Sequence, residues 1–247
     1  MTLQEFFSAN PKTALAFSGG VDSAYLLYAG RRFGADVKPY FVKTAFQPLL
    51  ELEDAQRLAG EVGADLTVLE TDILSCPGVA KNAADRCYRC KRALFGALKE
   101  RAAADGYAVL IDGTNASDDE GDRAGMRALR QMVVRSPLRE CGVTKTEIRR
   151  LSKEAGLFTW DKPAYACLAT RIPKGAAITA EALAKVERAE DGLKKLGFSD
   201  LRVRLIGAAA RLQLPEDQLE RALAMREEIL RLLAHDFGVV LLDLKPR

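Results

Sequence analysis

One histidine, His235, and one tryptophan, Trp160, occur in the 247 residues. With so little imidazole, neither a Ser-His-Asp triad nor a multi-histidine zinc site is expected. Long apolar runs are also missing, and none approaches the length that spans a bilayer. The opening MTLQEFFSANPK shows no basic stretch followed by an apolar run and a small-residue cleavage site, so secretion is not expected and the cytoplasm is the expected compartment. There is no excess of either charge: 37 Lys and Arg against 34 Asp and Glu leave a formal +3. That near-balance provides no whole-molecule field for nucleic acid, and neither a nucleic-acid nor a membrane partner is expected. Cysteine is sparse at five residues. An odd count without a signal peptide disfavours a disulfide framework and favours reduced, metal-binding or reactive thiols.

What is present is the composition of a globular protein, with 48% hydrophobic and 29% charged residues and enough length to bury a sizeable core. Short apolar runs alternate with amphipathic ones through roughly the first two-thirds of the chain. Strands are predicted at Thr13–Phe17, Val37–Val42, Leu66–Glu70 and Ala108–Asp112, and helices at Ser23–Phe33, Pro48–Val62, Cys87–Ala104 and Lys145–Ala155. Thr144 and Glu147 have capping-box spacing ahead of the last helix. This is the βαβ rhythm of a parallel sheet. After Pro173-Lys174-Gly175 the pattern changes to a helix over Thr179–Leu196, two strands near Leu201–Ile206 and Ala209–Leu214, a helix reaching His235 and a strand at Val239–Leu242. The expected organisation is an α/β domain over 1–173 and a small α+β domain over 174–247.

The sharpest local signal is Ser18-Gly19-Gly20-Val21-Asp22-Ser23, directly after a predicted buried strand and directly before a helix. Paired glycines let the chain turn tightly and bring N–H groups close to an anion; the helix N-terminus adds unpaired donors, and Ser18 and Ser23 add hydroxyls. A pyrophosphate group fits such a loop. It is not the G-x-x-x-x-G-K-[ST] loop, since no lysine ends the glycine run, nor is it G-x-G-x-x-G. The hexapeptide resembles the pyrophosphate loop of the N-type ATP pyrophosphatases, a resemblance that implies cleavage of ATP between the α and β phosphates and an adenine-nucleotide alpha hydrolase-like, Rossmann-like sheet.

Cys87-Tyr88-Arg89-Cys90 opens a predicted helix with two thiols near one face. Alone, the pair reads as a redox dithiol, half of a zinc site or part of an iron–sulfur cluster, with structural zinc disfavoured because no second CxxC or histidine pair is present. Cys167 lies in Trp160–Pro173, whose prolines and mixed polarity predict an ordered loop. Lys162 and Arg171 nearby are expected to favour its thiolate. Cys76 and Cys141 have no comparable context and are read as structural. Asp22 and Asp119 are candidate carboxylates for a metal or for orienting ATP, or else simply helix-start and turn aspartates. Arg202 and Arg204 alternate along a strand and share a face, suited to a substrate phosphate or merely exposed.

Taken together, the loop at Ser18–Ser23, Asp85-Arg86-Cys87-Tyr88-Arg89-Cys90-Lys91, Asp112–Asp119, Arg135-Ser136-Pro137-Leu138, Trp160–Pro173 and Arg202-Val203-Arg204 resemble the LarE family of ATP-dependent sulfur-insertion enzymes. The resemblance covers most of the chain and makes 1–173 the N-type ATP pyrophosphatase domain. It implies ATP and Mg²⁺ as cofactors and a small-molecule substrate, a pyridinium dicarboxylate mononucleotide, adenylated on one carboxylate before sulfur displaces AMP. In one version of the family the cysteine equivalent to Cys167 surrenders its sulfur; in the other, three cysteines hold a [4Fe–4S] cluster. Because Cys87, Cys90 and Cys167 are all present, the cluster version is expected. A homo-oligomer, a hexamer among the assemblies the family suggests, is also implied. Ala83-Ala84 and Lys174 depart from the family pattern, which has prolines and an aromatic residue there. A tRNA-thiolating enzyme, an amide-forming synthetase and a non-catalytic nucleotide sensor are the competing readings.

Overall fold

The computed structural model describes residues 1–118 and 124–247. In chain order the first part runs α1 (Leu3–Ala9), β1 (Lys12–Ala16), α2 (Val21–Arg32), β2 (Asp36–Lys43), α3 (Leu49–Glu61), β3 (Thr67–Glu70), α4 (Arg86–Ala104), β4 (Val109–Ile111), α5 (Ala124–Gln131), α6 (Pro137–Glu140) and α7 (Lys145–Glu154). After a long loop come α8 (Ala180–Lys195), β5 (Arg202–Ile206), β6 (Ala209–Gln213), α9 (Leu219–Ala224), α10 (Arg226–Leu233) and β7 (Val239–Leu242).

The first four strands pair in parallel in the order β3-β2-β1-β4, a Rossmann-like sheet, as the alternating pattern predicts. Side chains on β1 explain why Ala14-Leu15-Ala16 is an unbroken apolar run. Leu15 enters the core formed with α1 and α2, while Ala14 enters a second core with Tyr40 and Leu98. A strand covered on both faces has no solvent side to mark with polar residues. The chain leaves β1 towards β2, whereas β4 lies on the other side of β1. The carboxyl ends of β1 and β4 therefore flank a topological switch point, where open α/β sheets bind ligands.

Helix α1 was not part of the sequence reading. Thr2 and Glu5 form a full capping box, with the Thr2 hydroxyl accepting the Glu5 N–H (3.2 Å) and the Glu5 carboxylate accepting the Thr2 N–H (2.8 Å). Phe6 and Phe7 then pack into the core. At α7 the Thr144 hydroxyl accepts the Glu147 N–H at 3.3 Å, the first half of the box expected there. The helix expected to reach His235 is broken at Met225, which leaves helical geometry (φ −96°, ψ 19°) and separates α9 from α10.

In the second sheet β5 and β6 are antiparallel and β6 and β7 parallel. With α8 to α10 it encloses a core that includes Leu193, Val203, Leu212, Ile229 and Phe237. A further apolar cluster joins the halves: Phe46, Ile73 and Val79 pack with Leu168 and Ile172 and with Leu183 and Val186 of α8. The long loop is thus anchored from both sides. Among the described residues no helix is long and apolar enough to cross a membrane.

Candidate active site

Ser18–Ser23 joins β1 to α2, as the sequence predicts. Gly19 has φ +69°, and a Cβ there would come within 3.1 Å of the Ala55 backbone, so the position requires glycine twice over. Gly20 is the N-cap of α2 and supplies no capping side chain, which leaves the first-turn N–H groups of Val21 and Asp22 facing the switch point. The serine hydroxyls do something other than expected. They tie the loop to itself: Ser23 Oγ accepts the Ser18 N–H (3.3 Å), donates to Gly20 O (3.2 Å) and lies 3.1 Å from Ser18 Oγ. Gly113, following β4, sits so close that a Cβ would approach Ser23 N to 3.0 Å.

Two motif segments that are distant in sequence meet beside this loop. The buried Asp112 carboxylate accepts from Thr114 N (3.1 Å), Thr114 Oγ1 (2.7 Å) and Ser136 Oγ (2.7 Å). Those bonds shape the turn that carries Asn115 towards Asp22, where Asn115 Nδ2 makes a long 3.4 Å bond to Oδ1. Asp22 Oδ2 is held by Lys145 Nζ at 2.6 Å. Burial pushes the Asp22 carboxyl above its ordinary range and Lys145 pulls it back. With Oδ1 only weakly engaged, Asp22 fits a Mg²⁺ ligand beside a bound polyphosphate. Asp119 lies outside the described residues.

A cavity of about 390 Å³ connects these groups. The phosphate loop, Lys145 and Lys162 stand along it, Phe41 and Val42 of β2 and Leu94 of α4 supply an apolar sector, and Cys167 is also on the wall. An apolar slot beside an anion-binding loop suits a nucleotide. Glu51 lines this cavity and a second one beyond Lys162 and Tyr165. Burial raises its carboxyl to about 7.

Cys167 caps the short 3-10 turn Leu168–Arg171. Its loop is held from within and from outside. Arg86 Nη1 donates to Ala169 O (2.9 Å), Arg171 Nη1 to Ala166 O (2.9 Å), Arg202 Nη2 to Ala164 O (2.8 Å) and Arg204 Nη1 to Thr170 O (2.8 Å). Arg171 and Glu190 form an ion pair at 2.7 Å with side chains 0% and 1% exposed. Glu190 also accepts from Tyr165 Oη and Val203 N. Arg202 and Arg204 do share a face, as their alternation predicts, but both spend donors on loop carbonyls. The expected thiolate is not what this loop favours: burial pushes the Cys167 thiol up, more than Arg86 and Arg171 draw it down. Lys162 is committed elsewhere, to Asp54 Oδ2 at 2.7 Å.

Cys87 and Cys90 lie within the first two turns of α4. Burial, then the proximity of Cys167 and Cys87, pushes the Cys90 thiol up to about 12; Cys76 adds to the effect. Cys76, Cys90 and Cys167 all pack against the apolar cluster at the seam. Cys76 therefore belongs to this corner, unlike Cys141, which packs against the core of the first sheet. Nothing in its local sequence signals this. Among the described residues no group of three or more His, Cys, Asp or Glu side chains stands at separations that would hold a metal ion. Cys87 adds to the upward shift of both Cys90 and Cys167, and thiols are the ligands that iron–sulfur clusters use.

No protein-family model matches the chain. Pyridinium-3,5-bisthiocarboxylic acid mononucleotide synthase of Lactiplantibacillus plantarum is 34% identical over 236 residues, covering 94% of this chain and 86% of that enzyme. The chain belongs to the LarE family. Two uncharacterized proteins are similar as well: one from Synechocystis sp. is 39% identical over 222 residues (89% of this chain, 82% of that protein), and one from Methanocaldococcus jannaschii is 31% identical over 229 residues (93% and 87%). Within this LarE-family chain, Lys145, Glu190, Arg86 and Cys76 are the site residues that sequence reasoning missed. Each meets its partner through the fold and not through local spacing.

Proposed function

We propose that this LarE-family chain is an AMP-forming sulfurtransferase that adenylates a carboxylate of a pyridinium-3,5-dicarboxylate mononucleotide and replaces the activated oxygen with sulfur. The observation that carries the reading is the single cavity running from the Ser18–Ser23 loop to Cys167. The name of the Lactiplantibacillus relative, a thiocarboxylate mononucleotide synthase, supports the choice of acceptor.

A carboxylate oxygen of the acceptor attacks the α-phosphorus of ATP; the bond to the α,β-bridging oxygen breaks, and its electron pair leaves with pyrophosphate. Loop N–H groups oriented before the reaction stabilise that leaving charge. Asp22 would hold Mg²⁺, which when bound would further neutralise the phosphates. The acyl adenylate then exchanges its C–O bond to AMP for a C–S bond, with AMP taking the electron pair and the carbon keeping its oxidation state. Cys167 handles the sulfur. A [4Fe–4S] cluster on Cys87, Cys90 and Cys167 would supply an open iron position for sulfide. Arg202 and Arg204 hold the Cys167 loop and place positive charge near the acceptor's phosphate. A homo-oligomer is part of the same reading and is measurable by light scattering.

Anaerobic incubation with Mg-ATP, sulfide and the dicarboxylate nucleotide should yield AMP, pyrophosphate and thiocarboxylate. Absence of acceptor-dependent AMP and pyrophosphate would overturn the proposal. Intact mass separates the two sulfur routes. Loss of one H₂S equivalent from the Cys167 peptide marks a sacrificial thiol, while an unchanged peptide together with bound iron and labile sulfide marks the cluster.

A further inference from the structure

The phosphate loop contains no basic residue between Ser18 and Ser23, yet the fold brings two ammonium groups to it from two distant segments. Lys145 is the first residue of α7, and its Nζ lies 2.6 Å from Asp22 Oδ2. Lys162 belongs to the long loop that carries Cys167; its Nζ lies 2.7 Å from Asp54 Oδ2 and 3.5 Å from Gly19 O. Both backbones are fixed. Lys145 N donates to Ser117 Oγ (3.0 Å), Lys162 N donates to Thr159 O (3.1 Å), and Lys162 O accepts from Arg149 Nη2 (3.0 Å). The two side chains are 31% and 21% exposed, and each ammonium has three donors on a flexible stem.

We propose that Lys145 and Lys162 are the cations of this phosphate loop, each exchanging its carboxylate partner for phosphate oxygens of the nucleotide. Lys162 lies on the loop that carries Cys167 and reaches Gly19, whereas Lys145 reaches Asp22 in the first turn of α2. Lys145, against the start of α2, is assigned to the leaving pyrophosphate, and Lys162, on the loop of Cys167, to the phosphate that stays with the acceptor. The two supply from distant segments the charge that a lysine inside the loop supplies in other nucleotide-binding loops. This rests on the nucleotide reading above.

The test is calorimetric titration of the full-length protein with inorganic pyrophosphate, alongside acceptor-dependent ATP–pyrophosphate exchange, for wild type, Lys145→Ala, Lys145→Arg, Lys162→Ala and the double variant Asp22→Asn/Lys145→Ala. Losing a charge-assisted bond should weaken pyrophosphate binding roughly 10- to 100-fold in each alanine variant, with Lys145→Arg retaining most of it. In a metal-free titration, where Asp22 has no ion to hold, the double variant would recover wild-type binding if Lys145 merely neutralised Asp22; under the proposal it stays weak. Wild-type affinity in both alanine variants, or recovery in the double variant, overturns the inference while leaving the nucleotide reading intact. A wild-type protein that neither binds pyrophosphate nor forms AMP overturns both.

Discussion

The phosphate loop and the Cys167 loop line the same cavity but are ordered by different means. The first holds its shape through neighbours: a glycine at φ +69° and serine hydroxyl bonds spanning five residues or fewer. The second has internal bonds too, Thr170 N and Oγ1 both donating to Cys167 O (2.9 Å each) and Arg171 Nη1 to Ala166 O, but it is also clamped by guanidinium groups of Arg86, Arg202 and Arg204, drawn from α4 and β5. A locally encoded loop is sensitive to single backbone changes and indifferent to distant ones. A clamped loop shows the reverse pattern.

The largest expected stability effect falls on the clamp. Replacing Arg171 by Met leaves the Glu190 carboxylate buried without its ion partner, and losing one side of a buried pair costs about 3–5 kcal/mol. Chemical denaturation should show that loss, and sulfur transfer should fall while nucleotide binding by the surviving folded protein stays near wild type. If nucleotide binding fell in step, the two loops would not be independent. Gly19→Ala is the converse probe. A non-glycine residue in the left-handed region costs about 1–2 kcal/mol, and contact with the Ala55 backbone adds to it. Adenylation should be lost while the alkylation rate of Cys167 is unchanged.

An effect confined to high pH is expected at Glu51, on the wall shared by both cavities. Its folded-state pKa, about 7, is raised above the value of 4.5 for a free carboxyl. Below pH 4.5 the protonated group costs nothing. As pH rises towards 7 the unfolded chain ionises first, so stability is lost across that interval. Glu51→Gln should therefore raise the melting temperature at pH 8, by the equivalent of on the order of 1–3 kcal/mol, and leave it unchanged at pH 4. Equal melting temperatures at both pH values would show that the carboxyl is not desolvated.

The same contrast explains what was legible in the sequence. The phosphate loop was legible because two glycines between an apolar strand and a helix start leave few alternatives, and its φ and contacts are local. The parallel sheet followed from apolar runs covered on both faces. Helix α1 was overlooked although Thr2 and Glu5 carry the capping-box spacing, because the segment is short. The break at Met225 has no glycine or proline to announce it. At the site, the misread residues are those whose meaning depends on long-range partners. Cys76 looked isolated until the seam brought it beside Cys90, and Arg202 and Arg204 looked like an open face until the Cys167 loop lay across them. The thiolate expected at Cys167 assumed that nearby basic residues would outweigh burial. Packing of Leu168 and Ile172 into the seam sets the opposite balance.

The central claim is that one cavity couples two separable chemistries, and Cys167→Ser tests it most directly. Acceptor-dependent AMP and thiocarboxylate should be measured together, anaerobically, in wild type and in the variant. The account expects AMP formation at a near-normal rate in Cys167→Ser and no thiocarboxylate. Thiocarboxylate at the wild-type rate would contradict it.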